Sequence, residues 1–414
     1  MKIAVFTDSY KPQINGVVTH IEETTRIFAK KGHEVVIFAP GKSKSFVKTL
    51  NDGRKVFFTS SIPFTPYKEY RVSKPKIKRI YDFFKKNDFD IIHIHSPFTL
   101  GMIGILMGKI FNLPIVGTYH TLWPEFFPHL TKGKFKSVMR KVGEYPTKKF
   151  TQFVYSKLDV IIAPSNETKK FLESYELENI MVVPNGIVIK RYQNVSSRAK
   201  SVIAKKYKIP KDKKILLYVG RISLEKKIDV LLDAYSYVER NEDSMLLIVG
   251  RGPILKNLKE YAKSKGIKTV KFLGYIPDDE LPAIYNLADV FVSASDSETQ
   301  GIVFLEAMAA GLPIVAVNKG GAKDVVKDRK NGFLAVPNDP IDFAIKMIKL
   351  LNNKDLYESF RKESLRMCKK FDVEETSKKL LSIYRDLLKK KKRKNSSKIL
   401  NVLKTLYKRL TYRF

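Results

Sequence analysis

Cysteine is almost absent: Cys368 stands alone in 414 residues. A single thiol excludes an intrachain disulfide framework and any zinc site built on cysteines, and it suits a reducing compartment. Long apolar runs are missing as well. No stretch reaches the roughly 18 residues needed to span a bilayer. The opening residues 1–10 have too short an apolar core, and no cleavage-site pattern, for a signal peptide; they read as a first buried strand. Acid is scarce relative to base, with 42 Asp and Glu against 77 Lys and Arg and a formal net charge of +35. Hydrophobic residues at 44% and charged residues at 29% are nonetheless ordinary for a globular chain and wrong for a disordered one. The length corresponds to two or three domains of about 150 residues each. These limits predict a cytosolic, multidomain α/β protein drawn to something anionic: nucleic acid, membrane or phosphorylated substrate.

Short β-branched runs alternate with longer amphipathic segments. Strands are predicted over 3–7, 34–38, 55–59, 91–95, 115–118, 160–163 and 181–183, with helices over 17–31, 76–86, 99–111, 133–156 and 167–174 between them. Most of these strands are apolar throughout rather than alternating, as parallel strands covered on both faces are. The pattern lapses over the polar, basic stretch 193–214, which contains Pro210 and reads as a linker with a short helix. It then restarts with strands over 215–219, 246–249, 270–272, 290–293, 313–317 and 332–336, and ends in a helix over about 373–392. The expected organisation is α/β: a Rossmann-like domain over 1–190, a linker over 191–213, a second doubly wound domain over 214–371, a final helix over 372–392 and a basic tail over 393–414. A ligand site is expected in the crevice between the domains, at the C-terminal ends of the strands.

The crevice does not carry a dinucleotide fingerprint. The loop after the first strand, Asp8 to Gly16, is too long and holds one glycine, and Gly250-Arg251-Gly252 is followed by Pro253; a Walker A sequence is absent. The strongest local signal is Ser295 to Pro313, where a buried strand ends in a polar loop, then Gly301, then an apolar small-residue helix. Backbone amides at Gly301, Ile302 and Val303 would form an anion site at that helix N-terminus. Glu298 lies in the loop ahead of it and Glu306 in the second turn of the helix; carboxylates repel phosphate but accept well from the hydroxyls of a ribose and a sugar. A second signal is Gly220-Arg221 through Lys226, a planar guanidinium and a compact ammonium at the C-terminal edge of a strand. Asp88-Phe89-Asp90 has a metal-binding spacing but directly precedes a buried strand, and reads as acid at a strand start. His93 and His95 fall on one strand face with no carboxylate partner, and read as structural or cleft-lining rather than metal ligands.

Taken together, these residues resemble retaining glycosyltransferase family 4. The Glu298–Glu306 pair has that family's E-x7-E spacing, and Gly220-Arg221 to Lys226, Val183-Pro184-Asn185-Gly186 and Asn15-Gly16-Val17-Val18 look like its other marks. The similarity spans nearly the whole chain. It implies the GT-B architecture: two Rossmann-like domains facing a cleft and a last helix crossing back to the N-terminal one. It implies that Arg221 and Lys226 neutralise a diphosphate, that Gly16 lets backbone approach it from the other domain, and that Glu306 accepts ribose hydroxyls. It also implies that Glu298 holds hydroxyls of the donor hexose beside the Gly301, Ile302 and Val303 amides, that Tyr275 and Ile276 grip the base, and that His120 lies near the reacting centre. Asn15 stands where the family often has a first glycine. The donor implied is a UDP-hexose, a substrate, with no metal or other cofactor.

The basic excess is clustered. Residues 68–86 hold eight basic and two acidic residues, with Ile77, Ile80, Tyr81 and Phe84 in an apolar stripe among Lys76, Lys78, Arg79, Lys85 and Lys86. Residues 132–157 hold eight basic residues, Arg140, Lys141, Lys148 and Lys149 among them, and one acid; residues 389–414 hold eleven basic residues and no acid. Basic amphipathic helices with aromatics lie at anionic lipid surfaces, whereas no nucleic-acid motif is present. The opening 6–17 also resembles the branch of the family that glycosylates diacylglycerol. The expectation is a peripheral enzyme on the inner face of the cell membrane that moves a hexose, read as glucose, from a UDP-sugar to diacylglycerol. The alternatives are another acceptor, phosphatidylinositol or a saccharide, and a non-catalytic lipid-surface binding protein.

Overall fold

The computed structural model describes residues 1–42, 44–64, 67–121 and 144–391. Its first ten strands are β1 Lys2–Phe6, β2 Glu34–Pro40, β3 Phe46–Thr49, β4 Lys55–Thr59, β5 Ser61–Phe64, β6 Tyr67–Ser73, β7 Ile91–Ile94, β8 Ile115–Thr118, β9 Val160–Ala163 and β10 Ile180–Val182. Eight of them form a sheet in the order β10-β9-β8-β7-β1-β2-β4-β3. Its pairs are parallel except β3 with β4, and β5 and β6 make a separate antiparallel hairpin. The sequence pattern shows neither β3 nor the hairpin. β3 is exposed along its whole length and Pro63 interrupts β5, so neither has the apolar run of a covered strand. One face of the sheet packs under helices Ile77–Lys85, Thr99–Ile110 and Glu144–Tyr155 through Ile80, Phe84, Ile103, Met107 and Val154.

The second sheet contains β11 Lys214–Val219, β12 Ser244–Val249, β13 Val270–Gly274, β14 Val290–Ser293, β15 Ile314–Val317 and β16 Gly332–Ala335. All are parallel, in the order β13-β12-β11-β14-β15-β16. This is the doubly wound order, whose crevice opens where the winding reverses, here between β11 and β14. In the first sheet the reversal falls between β1 and β7. The loops that leave β1, β11 and β14 carry Gly16, Arg221 with Lys226, and Glu298, while His120, the stretch 183–186 and Tyr275 follow β8, β10 and β13. The stretch read as a linker holds helices Lys190–Gln193 and Ser197–Lys206. Their Tyr192, Ile203 and Ala204 sit in the second core beside Leu217, Tyr285 and Phe304.

A helix over 373–391 returns to the first sheet. Its Leu380, Leu381, Ile383 and Tyr384 are buried against Ile3, Val5, Ile21 and Phe28. The outgoing and returning crossings between the domains run side by side: Ile187 N donates to Phe371 O at 2.9 Å and Val373 N to Ile187 O at 2.9 Å. This contact accounts for Gly186. A β-carbon there would lie 2.2 Å from Thr376 Oγ1 and 2.6 Å from Val373 Cα, the latter backbone that cannot rotate away. Gly186→Ala is therefore expected to lower the free energy of unfolding by about 1–3 kcal/mol, the usual cost of overpacking, as measured by urea denaturation; an unchanged midpoint would show that the crossings separate freely.

Candidate active site

The loop before helix Ile302–Ala309 is gripped from several sides. From the second domain, Lys226 Nζ donates to Glu298 Oε1 at 2.5 Å, Ser297 Oγ donates to Glu225 O at 3.2 Å, and Lys227 and Lys319 each lie 3.6 Å from Asp296 Oδ2. Gly321 N donates to Glu298 O at 2.7 Å, and a β-carbon on Gly321 would strike Thr299 O at 2.1 Å. From the first domain, Ser165 Oγ and Thr168 Oγ1 donate to Thr299 O, the latter at 3.0 Å, and Asn185 N donates to Gln300 Oε1 at 2.8 Å. Thr299 Oγ1 in turn donates to the His120 carbonyl at 3.0 Å. The loop is thus held between the domains, with Thr299 bonded to the backbone of His120 and Glu298 the residue before it.

The Lys226–Glu298 contact joins two residues to which the resemblance gives different ligands, a diphosphate and a hexose. An ammonium has three donors, so the bond to Glu298 leaves two for phosphate oxygens and fixes where they point. Arg221 follows β11, and its carbonyl accepts from Tyr218 Oη at 3.1 Å. Gly301, at φ 77°, sits in the left-handed region where glycine is favoured, and turns the chain into the helix. The amides of Ile302 and Val303 open that helix, where first-turn N–H groups have no intrahelical acceptor. Gly16 faces them from the other domain: a β-carbon on it would meet Ile302 Cδ1 at 3.4 Å. Asn15 caps the helix Gly16–Lys30, its side chain accepting from Val18 N at 3.0 Å while its Nδ2 donates to Ser9 Oγ at 2.8 Å. The asparagine in the place of a glycine therefore has a structural task.

Glu306 is 8% exposed and accepts from Tyr285 Oη at 2.7 Å. Burial pushes its carboxyl up from the usual 4.5, opposed by hydrogen bonds from Tyr285 and Tyr192. The remaining lone pairs suit a hydroxyl donor far better than a phosphate. Ile276 is buried, and the Tyr275 ring lies 5.6 Å from the Arg251 guanidinium, a flat partly covered surface of the kind a base can stack on. Asp90 has a structural role: its Oδ2 accepts from Lys2 N at 2.7 Å at the start of β1.

Two features of the site escape a reading of the sequence. Asp8, half-buried after β1, accepts from Leu100 N at 3.0 Å and from Ser96 Oγ at 2.7 Å, so it caps helix Thr99–Ile110 across the winding reversal. Burial raises its carboxyl above the usual range. The second is a layer of four histidines. His93 bonds through Nε2 to Thr118 Oγ1 at 2.7 Å and through Nδ1 to Tyr384 Oη, on the returning helix, at 2.5 Å. His95 Nδ1 lies 2.9 Å from His120 Nε2, and His20 stands edge-on to His120 with ring centroids 5.1 Å apart. The spacing of His93 and His95 was visible; the approach of His20 from the first helix was not.

The basic surface also resolves into parts. Ile80 and Phe84 are core, whereas Ile77 at 49% and Tyr81 at 37% are exposed beside Lys76, Lys78 and Arg79. On helix Glu144–Tyr155, Tyr145 and Phe153 are exposed at 67% and 54%, with Lys149 between them and its ammonium 5.5 Å from the Tyr145 ring. Lys148 turns inward, 3.6 Å from Glu176 and over the Tyr175 ring. Arg140, Lys141 and the tail 393–414 lie outside the described residues. Among the described residues no helix is long and apolar enough to cross a membrane.

Two Rossmann-like sheets facing a crevice, with a returning helix, are the GT-B architecture. Residues 14–191 match Glycosyltransferase Family 4 and residues 199–367 match Glycosyl transferases group 1. The chain is 31% identical over 370 residues to the alpha-monoglucosyldiacylglycerol synthase of Streptococcus pneumoniae, covering 88% of this chain and 82% of that protein. It is 28% identical to the enzyme of the same name from Acholeplasma laidlawii over 96% of this chain and 100% of that one. Among solved structures, Anabaena HepE in complex with UDP and glucose superposes with a TM-score of 0.74 at 17% identity, covering 93% of this chain and 100% of that one. The protein belongs to glycosyltransferase family 4 and is a glycosyltransferase of the GT-B type.

The histidine layer generates a pH dependence. Burial lowers His20 from 6.5 to about 4 and His93 to about 3, and holds His95 and His120 well below 6.5. Each becomes an ordinary histidine on unfolding. Below pH 6.5 the unfolded chain therefore binds protons that the folded one refuses. Stability is complete above that pH and falls with acid by up to about 1.4 kcal/mol per pH unit for each histidine. Urea melts in chelator-treated buffer should show the midpoint falling between pH 7 and pH 5; a flat profile over that range would mean that these rings ionise in place.

Proposed function

We propose that this glycosyltransferase moves a hexose, glucose in the preferred reading, from a UDP-sugar to 1,2-diacylglycerol at an anionic membrane surface, with retention at the anomeric carbon. The single observation that carries the lipid reading is the outward face of helix Glu144–Tyr155, where Tyr145, Lys149 and Phe153 stand in one row at helical spacing. Aromatic rings with a lysine among them suit the headgroup region, where apolar faces bury and ammonium groups meet lipid phosphate. Ile77 and Tyr81 extend the same helical layer. The relatives named for monoglucosyldiacylglycerol synthesis support the acceptor, and the fold neighbour holding UDP and glucose is consistent with the donor.

In this reading Arg221, Lys226 and the Ile302 and Val303 amides stabilise the negative charge that grows on the diphosphate as the glycosidic bond breaks. Tyr275 and Ile276 grip the base, Glu306 takes ribose hydroxyls, and Glu298 orients the hexose. The bond from the anomeric carbon to phosphate oxygen breaks while the acceptor oxygen bonds on the same face. The acceptor proton passes to the departing phosphate oxygen, and His120 borders the reacting centre. No step calls for a metal. The protein would work from the cytoplasmic side, held peripherally by charge and aromatic contact, with no nucleic-acid partner.

Full-length protein given labelled UDP-glucose and phosphatidylglycerol vesicles containing diacylglycerol should label the diacylglycerol. Labelling of phosphatidylinositol or a soluble saccharide instead would overturn the acceptor. Glu298→Gln should keep vesicle binding and lose turnover; undiminished turnover would remove Glu298 from the site. By calorimetry, Arg221→Ala and Lys226→Ala should each weaken UDP binding about 10- to 100-fold, the worth of a charge-assisted hydrogen bond, and wild-type indifference to both UDP and GDP would overturn the donor assignment. The double variant Tyr145→Ser, Phe153→Ser should lose about tenfold or more in vesicle affinity with UDP affinity intact; equal loss of both would mean a fold defect.

A further inference from the structure

His20 is 3% exposed, and neither of its ring nitrogens has a hydrogen-bond partner among the described residues. Leaving a buried polar atom unpaired costs about 1–3 kcal/mol, and a phenylalanine would fill the same space without that cost. The ring is aimed at company. One ligating nitrogen from each of His20, His95 and His120 lies within 4.8 Å of the others, and His95 Nδ1 and His120 Nε2 are already 2.9 Å apart. Three imidazole nitrogens on a tetrahedral zinc ion, at bond lengths of about 2.0–2.1 Å, stand about 3.3 Å from one another. The one pair already in contact stands 2.9 Å apart, and none of the three nitrogens is more than 4.8 Å from another, so small ring movements reach that value.

We propose that His20, His95 and His120 form a binding site for a borderline divalent cation such as Zn2+ on the N-terminal wall of the crevice. The set contains imidazole and no carboxylate, which selects Zn2+, Co2+ or Cu2+ over Mg2+ and Ca2+. Burial keeps all three rings neutral at physiological pH, as ligands must be. Binding replaces the His95–His120 hydrogen bond: the proton between those rings moves to a far ring nitrogen, and both near lone pairs turn to the ion. His93 is not a ligand, because Thr118 and Tyr384 occupy both of its nitrogens; it packs 4.0 Å from His95 and holds that ring in place. His120 is only partly buried, so the fourth position opens towards the crevice. Three protein ligands with an open position leave room for water. The ion is no participant in the transfer proposed above. Seated beside His120, it would stand where the acceptor hydroxyl arrives and restrain turnover.

The test reads metal directly. Chelator-stripped full-length protein is titrated with Co2+ and followed by its visible ligand-field bands, then with Zn2+ in competition. One equivalent should bind with the intense bands of a four-coordinate ion. His20→Gln and His120→Ala should each weaken it about 100-fold or more, and His33→Gln should leave it unchanged. X-ray absorption of the wild-type protein with one equivalent of Zn2+ should show three imidazole ligands, an observation that depends on no variant folding. Uptake that is as tight in His20→Gln as in wild type, a bound ion with oxygen ligands only, or no stoichiometric uptake would each overturn the proposal. UDP affinity, measured on the same stripped protein, reports separately on the donor reading.

Discussion

The architecture turns on one seven-residue loop, 295–301, held by both domains at once. Its acids answer lysines of the second domain, Lys226 to Glu298 and Lys227 to Asp296. Its backbone and amide groups answer hydroxyls and an N–H of the first, Ser165, Thr168 and Asn185. A typical neutral hydrogen bond contributes only about 0.5–1.5 kcal/mol net, because water replaces it when broken. The clamp on the first-domain side is therefore strong enough to set geometry and weak enough to open. The lysine pairs lie within one domain and travel with the loop. An opening of the crevice would keep Glu298 and Lys226 in register while the loop parted from Ser165, Thr168, Asn185 and the His120 carbonyl.

The two crossings reinforce that division of labour. Ile187 and the 371–373 backbone pair side by side, and Gly186 permits the approach. The two crossings run there as a narrow pair, while Tyr384 carries the returning helix into the histidine layer through His93. The C-terminal helix is thus part of the floor of the N-terminal half of the site. Its packing and the neutrality of the histidines are linked, since a water path opened along that helix would admit protons to rings that burial keeps neutral.

The fold was legible because its strands are the simplest signal a sequence offers: β1, β2, β11, β12 and β14 are apolar runs without alternation, and covered parallel strands have no reason to alternate. β3 and the β5–β6 hairpin were hidden because exposed edges carry no such run. Within the site, Gly301 and the Glu298–Glu306 spacing could be read because a strand–loop–helix turn must be punctuated locally. Asp8, Thr299, Gln300 and His20 could not. Each acts on a partner more than seventy residues away or on another helix, and a polar residue on an amphipathic helix, as His20 is, looks the same whether it faces water or three other imidazoles. The stripe Ile77, Ile80, Tyr81 and Phe84 shows the reverse limit: periodicity placed them on one side of a helix, and only packing on the sheet, which covers Ile80 and Phe84 and leaves Ile77 and Tyr81 exposed, decides which of them are core.

The surplus of positive charge is used in two physically different ways. In the crevice, Lys226, Lys227 and Lys319 are opposed by Glu298 and Asp296, so the cations are held in place and an arriving anion must match their geometry as well as their sign. On the outer helices, Lys149 leans on the Tyr145 ring and has no ion pair among the described residues, so its charge responds to whatever anion lies near. Preorganised groups favour one ligand because little is lost in ordering them. Loosely held groups at a surface respond to charge density and are screened over about 8–10 Å by physiological salt. One sequence bias can therefore serve a selective crevice and an unselective surface, and what separates them is the presence of acids in the loop 295–301.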